Sequence, residues 1–231
     1  MTSYPKLEGP SLEPASGGPA KQLVVLLHGY GADGNDLIGL APHFAQALPD
    51  AAFVSPHAPY ACELAPFGRQ WFSLNDRAPA RMYEGACAAA PILDRFLDLE
   101  LGARKLADAQ LALIGFSQGT MTALHVGLRR VAPCAGILGY SGALVGAESL
   151  GAELRVRPPV MLIHGDDDPV VDFNLHKLSL NTLEALDVPV EGHARPGLGH
   201  SIDAEGLAFG IDFLRRVFGP PPESLLLGHP F

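Results

Sequence analysis

Short apolar runs alternate along this chain with longer amphipathic stretches. The segments 23–27 (LVVLL), 52–55, 111–115 (LALIG), 136–140 and 160–164 (VMLIH) have the length and the Val, Leu and Ile content of buried strands. A sixth, 189–194, reads as a more polar strand. Between them, 36–48, 82–99, 118–131 and 174–186 carry apolar residues at three- and four-residue intervals, the spacing that gives a helix one buried face. The stretch 204–218 (AEGLAFGIDFLRRVF) reads as a closing helix stopped by Gly219-Pro220. A strand that is apolar at every position must be covered on both faces. The pattern therefore predicts an α/β fold, with a mostly parallel central sheet and helices on both sides.

No repeat or linker interrupts the alternation, so 21–219 is expected to form one domain. The first twenty residues, rich in Pro, Gly and Ser, read as a flexible arm. Residues 220–231 read as a C-terminal extension whose leucines 225–227 dock on the body or on a second subunit. The chain has 231 residues, 48% of them apolar, too many for a disordered chain; its apolar runs fall short of the roughly 20 residues of a membrane span. A net charge of −9 disfavours a nucleic-acid partner, because no basic face is left to neutralise phosphates. The N-terminal residues lack the basic start and apolar core of a secretory signal. Cys62, Cys87 and Cys134 are odd in number and lack metal-ligand spacing, so a reducing, cytoplasmic setting is expected.

In open parallel sheets, ligands bind beyond the carboxyl ends of the strands. At one such exit stands Gly115-Phe116-Ser117-Gln118-Gly119, a G-x-S-x-G sequence between the strand LALIG and an amphipathic helix. In this strand–turn–helix context the motif reads as a nucleophile elbow. Glycines two residues to either side relieve the collision that so sharp a turn would force, and Ser117 Oγ is left at its apex. The next amide, that of Gln118, opens a helix and points positive charge at the site. The alternative is a Gly-rich loop with a serine helix cap.

A serine hydroxyl needs an adjacent base. Of nine histidines, His200 is the best placed, in the loop Pro196-Gly-Leu-Gly-His200 between the last strand and the closing helix; His193 competes but falls inside the strand. The imidazole in turn needs a carboxylate. The strand VMLIH runs into Gly165-Asp166-Asp167-Asp168-Pro169, which offers Asp168, with Asp166, Asp167 and Asp172 as competitors that spacing does not separate. The chain order Ser, Asp, His is that of α/β-hydrolases. A second oxyanion donor is expected in the loop after the first strand, where Gly29 and Gly31 flank Tyr30. The alternative there is a nucleotide-binding glycine loop, but no acidic residue follows at the distance a ribose requires.

These residues resemble the phospholipase/carboxylesterase family, which includes acyl-protein thioesterases. The resemblance rests on LLHGYGADGNDL (26–37), GRQWFSL (68–74), GFSQGT (115–120), YSGAL (140–144), HGDDDPVV (164–171) and GLGHSI (197–202), in family order over about residues 23–218. It implies an α/β-hydrolase fold and serine esterase activity, with no cofactor and no metal. By the motif match Ser117 is the nucleophile, His200 the base, and Asp168, directly before proline, the acid. The oxyanion donors become the amides of Tyr30 and Gln118. Trp71 falls in a segment that borders the acyl site in such enzymes, which implies substrate binding, with core packing as its alternative. Tyr30 stands where leucine is common, which implies a narrower or more polar acyl entrance.

The expected function is hydrolysis of small-molecule carboxylic esters through an acyl-serine. The alternatives are acyl-protein or other thioester hydrolysis and lysophospholipid hydrolysis by the same residues, and, more remotely, a non-catalytic binding module. No stable membrane insertion is expected. A homodimer is, built through leucines 225–227 or the loop around Trp71.

Overall fold

The computed structural model describes residues 4–219. Their strands are β1 (Ser11–Leu12), β2 (Gln22–Leu27), β3 (Ala51–Val54), β4 (Tyr60–Ala61), β5 (Arg69–Gln70), β6 (Leu111–Phe116), β7 (Gly136–Tyr140), β8 (Val160–Gly165) and β9 (Val190–Arg195). The helices are α1 (Gly34–Leu37), α2 (Ala41–Ala45), α3 (Pro79–Arg104), α4 (Gln118–Gly127), α5 (Ala147–Glu153), α6 (Phe173–Ala185) and α7 (Ala204–Phe218).

Seven strands form one sheet in the order β1-β3-β2-β6-β7-β8-β9, every pairing parallel except that of β1 with β3. The two-residue period of a strand divides the core. Leu23, Val25 and Leu27 of β2 join one apolar layer with Leu93, Leu97 and Leu124, while Val24 and Leu26 join the other with Phe44 and Phe213. One face is thus covered by α3 and α4, with Leu150 of α5 and Leu183 of α6, and the other by α1, α2 and α7. Being buried on both faces is why the central strands carry no polar alternation. At the edge, β9 keeps only intermediate and exposed residues, which accounts for its polar sequence.

The expected flexible arm is corrected by the described part of it. Leu7 is buried, and Ser11 and Leu12 pair with Val54 and Phe53 to extend the sheet. Gly9 packs so closely that a Cβ there would stand 2.1 Å from the Ser55 carbonyl oxygen. The predicted helix 36–48 is broken into α1, a 3-10 turn (Ile38–Leu40) and α2, because Pro42 has no amide to continue the ladder. The predicted helix 118–131 ends at Gly127, beyond which Arg130 turns back to bond Asp94, Asp98 and Asp108. The extension 220–231, with leucines 225–227, lies outside the described residues. Among those described, no helix is long and apolar enough to cross a membrane.

Candidate active site

Strand register brings the candidate chemistry to one edge. Gly115 of β6 lies opposite Leu27 of β2, and Phe116 opposite Tyr140 of β7, so the loops after these strands open together. Ser117 occupies the turn from β6 into α4 with φ 53° and ψ −116°, a conformation L-residues seldom adopt. Two bonds hold it there: its amide donates to Tyr140 O at 2.9 Å, and its carbonyl accepts from Met121 at 3.2 Å. The flanking glycines are required by space. A Cβ on Gly115 would stand 2.4 Å from the Thr120 nitrogen, and one on Gly119 1.8 Å from the Leu27 carbonyl oxygen.

Asp168 sits in the loop after β8, its side chain fully buried. Oδ1 accepts the amides of Val170 (2.8 Å) and Val171 (2.9 Å), and Oδ2 accepts from His200 Nδ1 at 2.7 Å. Burial works against the charge, but the bonds from His200 and the two amides outweigh it and hold the carboxyl below the ordinary aspartate range. The two loops are bound to each other: Asp167 N–H donates to Leu198 O at 3.2 Å, and a Cβ on Gly165 would stand 2.0 Å from that same oxygen. The competing aspartates serve the backbone or face solvent. Asp166 Oδ1 accepts the Gly197 amide, Asp172 caps α6 through Asn174 N–H, and Asp167 is exposed. His193 lies in β9, stacked on Phe209 with ring centroids 4.2 Å apart.

The loop after β2 is fixed through His28. Its Nε2 accepts the Ala58 amide (3.0 Å), so the proton is on Nδ1, which donates to Gly29 O (2.8 Å). Burial keeps this ring neutral by lowering its pKa. Gly31, at φ 84°, donates to Arg69 O across to β5. A Cβ on Gly29 would lie 3.3 Å from Ser117 Cβ, so this backbone passes close beside the serine. Neither the Tyr30 nor the Gln118 amide donates to a protein acceptor among the described residues.

Ser117, His200, Gln118, Gly29 and Tyr30 line one cavity of about 420 Å³, walled mainly by Leu74, Met82, Phe116, Met121, Val170, Val171 and Leu175, with Arg77 and Asp172 as its charged members. The Phe116 and His200 rings meet at 4.9 Å. Trp71 does not line it, which corrects the expected substrate contact. It is fully buried, and its Nε1–H donates to His28 O (3.0 Å) while its amide donates to Gln118 Oε1 (2.9 Å). Sequence reasoning missed the Gln118 side chain, whose Nε2 donates to Phe72 O at 2.8 Å, and the cavity residues of 74–82. No motif marks them. A cavity of about 520 Å³ elsewhere, around Tyr83, His125 and Arg129, has no serine in its lining, and Glu153 ties Tyr83 and Arg129 together. Among the described residues no cluster of three or more His, Cys, Asp or Glu side chains could hold a metal ion.

A model of the phospholipase/carboxylesterase family matches residues 13–218. The chain is 31% identical to acyl-protein thioesterase 1 of Neurospora crassa, over 83% of its own length and 84% of that protein's. It is 28% identical to esterase YpfH of Escherichia coli K12, over 85% and 83%. The crystal structure of esterase PE8 superposes with a TM-score of 0.89 at 43% identity, covering 92% of this chain and all of that one. The chain belongs to the phospholipase/carboxylesterase family and is an ester hydrolase with the α/β-hydrolase fold.

Proposed function

We propose that this protein is a serine carboxylesterase working through an acyl-Ser117 intermediate. The observation that carries this reading is that the strained, cavity-lining Ser117 shares its cavity with His200, whose Nδ1 is held by a buried carboxylate, and with two amides that have no acceptor among the described residues. Ser117 Oγ attacks the ester carbonyl as His200 Nε2 takes its proton, and Asp168 stabilises the resulting imidazolium. The Tyr30 and Gln118 amides stabilise the oxyanion, an interaction whose loss costs about 10²–10³ in rate in other hydrolases. Collapse breaks the carbonyl–leaving-group bond, and His200 returns its proton to the departing alkoxide. Water, deprotonated by the same nitrogen, then releases the acid and regenerates Ser117.

The largely apolar walls suit an uncharged acyl group of small to medium size. Acyl thioesters and lysophospholipids would be cleaved by the same steps. Similarity to acyl-protein thioesterase 1 favours the thioester as a second substrate. Steady-state rates on nitrophenyl esters of increasing chain length, beside matched sulfur esters, test both readings. We expect oxygen-ester turnover in the wild type and a loss of about 10⁴-fold or more in Ser117→Ala. Near-normal turnover by a folded Ser117→Ala overturns the assignment.

A further inference from the structure

His164 ends the apolar run of β8 and is buried directly behind Asp168. Its Nε2 lies 3.2 Å from Asp168 Oδ2, the oxygen that also accepts from His200, and 2.9 Å from Val171 O. Both neighbours only accept, so Nε2 must carry a proton. Nδ1 is buried and has no partner among the described residues. A charged ring would bury that second N–H without an acceptor, so His164 is the neutral Nε2–H tautomer.

We propose that His164 is a positioning residue for the hydrolytic site: its one N–H bonds Val171 O in the turn that seats Asp168, and its Nε2, 3.2 Å from Asp168 Oδ2, backs the carboxylate in the rotamer that orients His200. The inference rests on the reading of Ser117, Asp168 and His200 as the reacting set. Asp168 Oδ1 is fixed by two amides and Oδ2 by His200, with His164 Nε2 close behind Oδ2. The rest of the β8 run is Val160, Met161, Leu162 and Ile163, all buried. A histidine there, whose ring bonds Val171 O in the following turn and leaves Nδ1 without a partner among the described residues, costs more to bury than another aliphatic residue would. It is held from behind by α6, where Phe173 meets it edge-on and the His176 ring lies 5.5 Å away. The other titratable groups around this cluster are Lys177 of α6, His193 of β9, Asp172 at the head of α6 and the exposed Asp166 and Asp167. None of them accepts from His164 Nδ1.

The test compares wild type, His164→Met and His164→Gln on a nitrophenyl ester, with proton NMR of the hydrogen-bonded His200 Nδ1–H. Met fills the space without a donor, whereas Gln offers an N–H close to the position of Nε2. For His164→Met we expect kcat to fall about 10- to 100-fold with KM within about twofold, and the downfield resonance to broaden or vanish. His164→Gln should recover most of kcat together with the resonance. Wild-type kcat in His164→Met, a loss confined to KM, or a loss that Gln does not relieve overturns the inference. If His164→Met does not fold, ¹⁵N NMR of the wild-type histidines decides. A proton on His164 Nε2 with a bare Nδ1 at neutral pH supports the assignment, and a bare Nε2 overturns it. An inactive Ser117→Ala beside an unaffected His164→Met removes only this inference, whereas an active Ser117→Ala removes the reading beneath it.

Discussion

Gly119 of α4 lies against Leu27 of β2 so closely that a Cβ at position 119 would stand 1.8 Å from the Leu27 carbonyl oxygen. The obstruction is backbone, which cannot rotate away as a flexible side chain could. This contact joins the serine-bearing turn to the strand that carries the His28–Gly31 loop, so the proposed nucleophile and oxyanion donors are set in one rigid unit. Gly119→Ala is expected to lower stability by about 3 kcal/mol or more and to abolish turnover. Urea unfolding midpoints measure the first, and ester hydrolysis by the folded fraction the second.

Trp71 supports the loop after β2 without lining the cavity. Trp71→Phe keeps most of the ring and loses the bond to His28 O, so a destabilisation of about 1 kcal/mol is expected. KM across an acyl-chain series should keep its wild-type pattern. A variant whose chain-length preference changed while its stability did not would return Trp71 to the substrate site.

Gln118 is tested separately from its amide. Its side chain accepts from Trp71 N–H and donates to Phe72 O, and it is buried. Gln118→Leu leaves both partners buried and unsatisfied, at an expected cost of about 1–3 kcal/mol in thermal or urea unfolding. The proposed main-chain oxyanion donor at 118 survives the substitution, so kcat should fall far less than in Ser117→Ala.

Burial pushes His125 down to about 4, with Arg129 adding to the effect; burial does the same to His176, with the Lys177 ammonium adding to it. In the unfolded chain these rings titrate near 6.5. Between about pH 6.5 and 4 the unfolded state therefore binds protons that the folded state refuses, and stability falls as pH falls. Each ring contributes as much as about 3 kcal/mol to that slope and nothing above neutral pH. Below about pH 4, protonation of Asp168, whose carboxyl is held low, removes further stability. Urea midpoints measured from pH 7.5 to 4 should show the decline, and His125→Phe should flatten it; an unchanged slope in that variant contradicts the assignment.

Much of this was legible because the sequence and the geometry obey one constraint. The central strands are covered on both faces and so read as unbroken apolar runs. The turn at Ser117 leaves no room for side chains two residues away, so glycine marks it. Asp168 was not separable from Asp166, Asp167 and Asp172 by spacing, since what distinguishes it is the His200 imidazole of a distant loop, whereas Asp166 accepts the Gly197 amide and Asp172 caps its own helix. The two-residue strands β1, β4 and β5 are too short for any period, and their place depends on Val54, Phe53 and the partner strand of the hairpin. Helix α5 is only seven residues long and hides in a Gly- and Ala-rich stretch. His164 reads as one more buried strand position, because nothing in one dimension shows that it stands behind a carboxylate.

In the proposed reaction Ser117 is the group acylated. Intact-mass and peptide-mapping analysis after exposure to a fluorophosphonate probe tests it most directly. One adduct per chain is expected on the peptide carrying Ser117, with labelling lost in Ser117→Ala and much slowed in His200→Ala. An adduct on any other residue, or undiminished labelling of a folded Ser117→Ala, would contradict it.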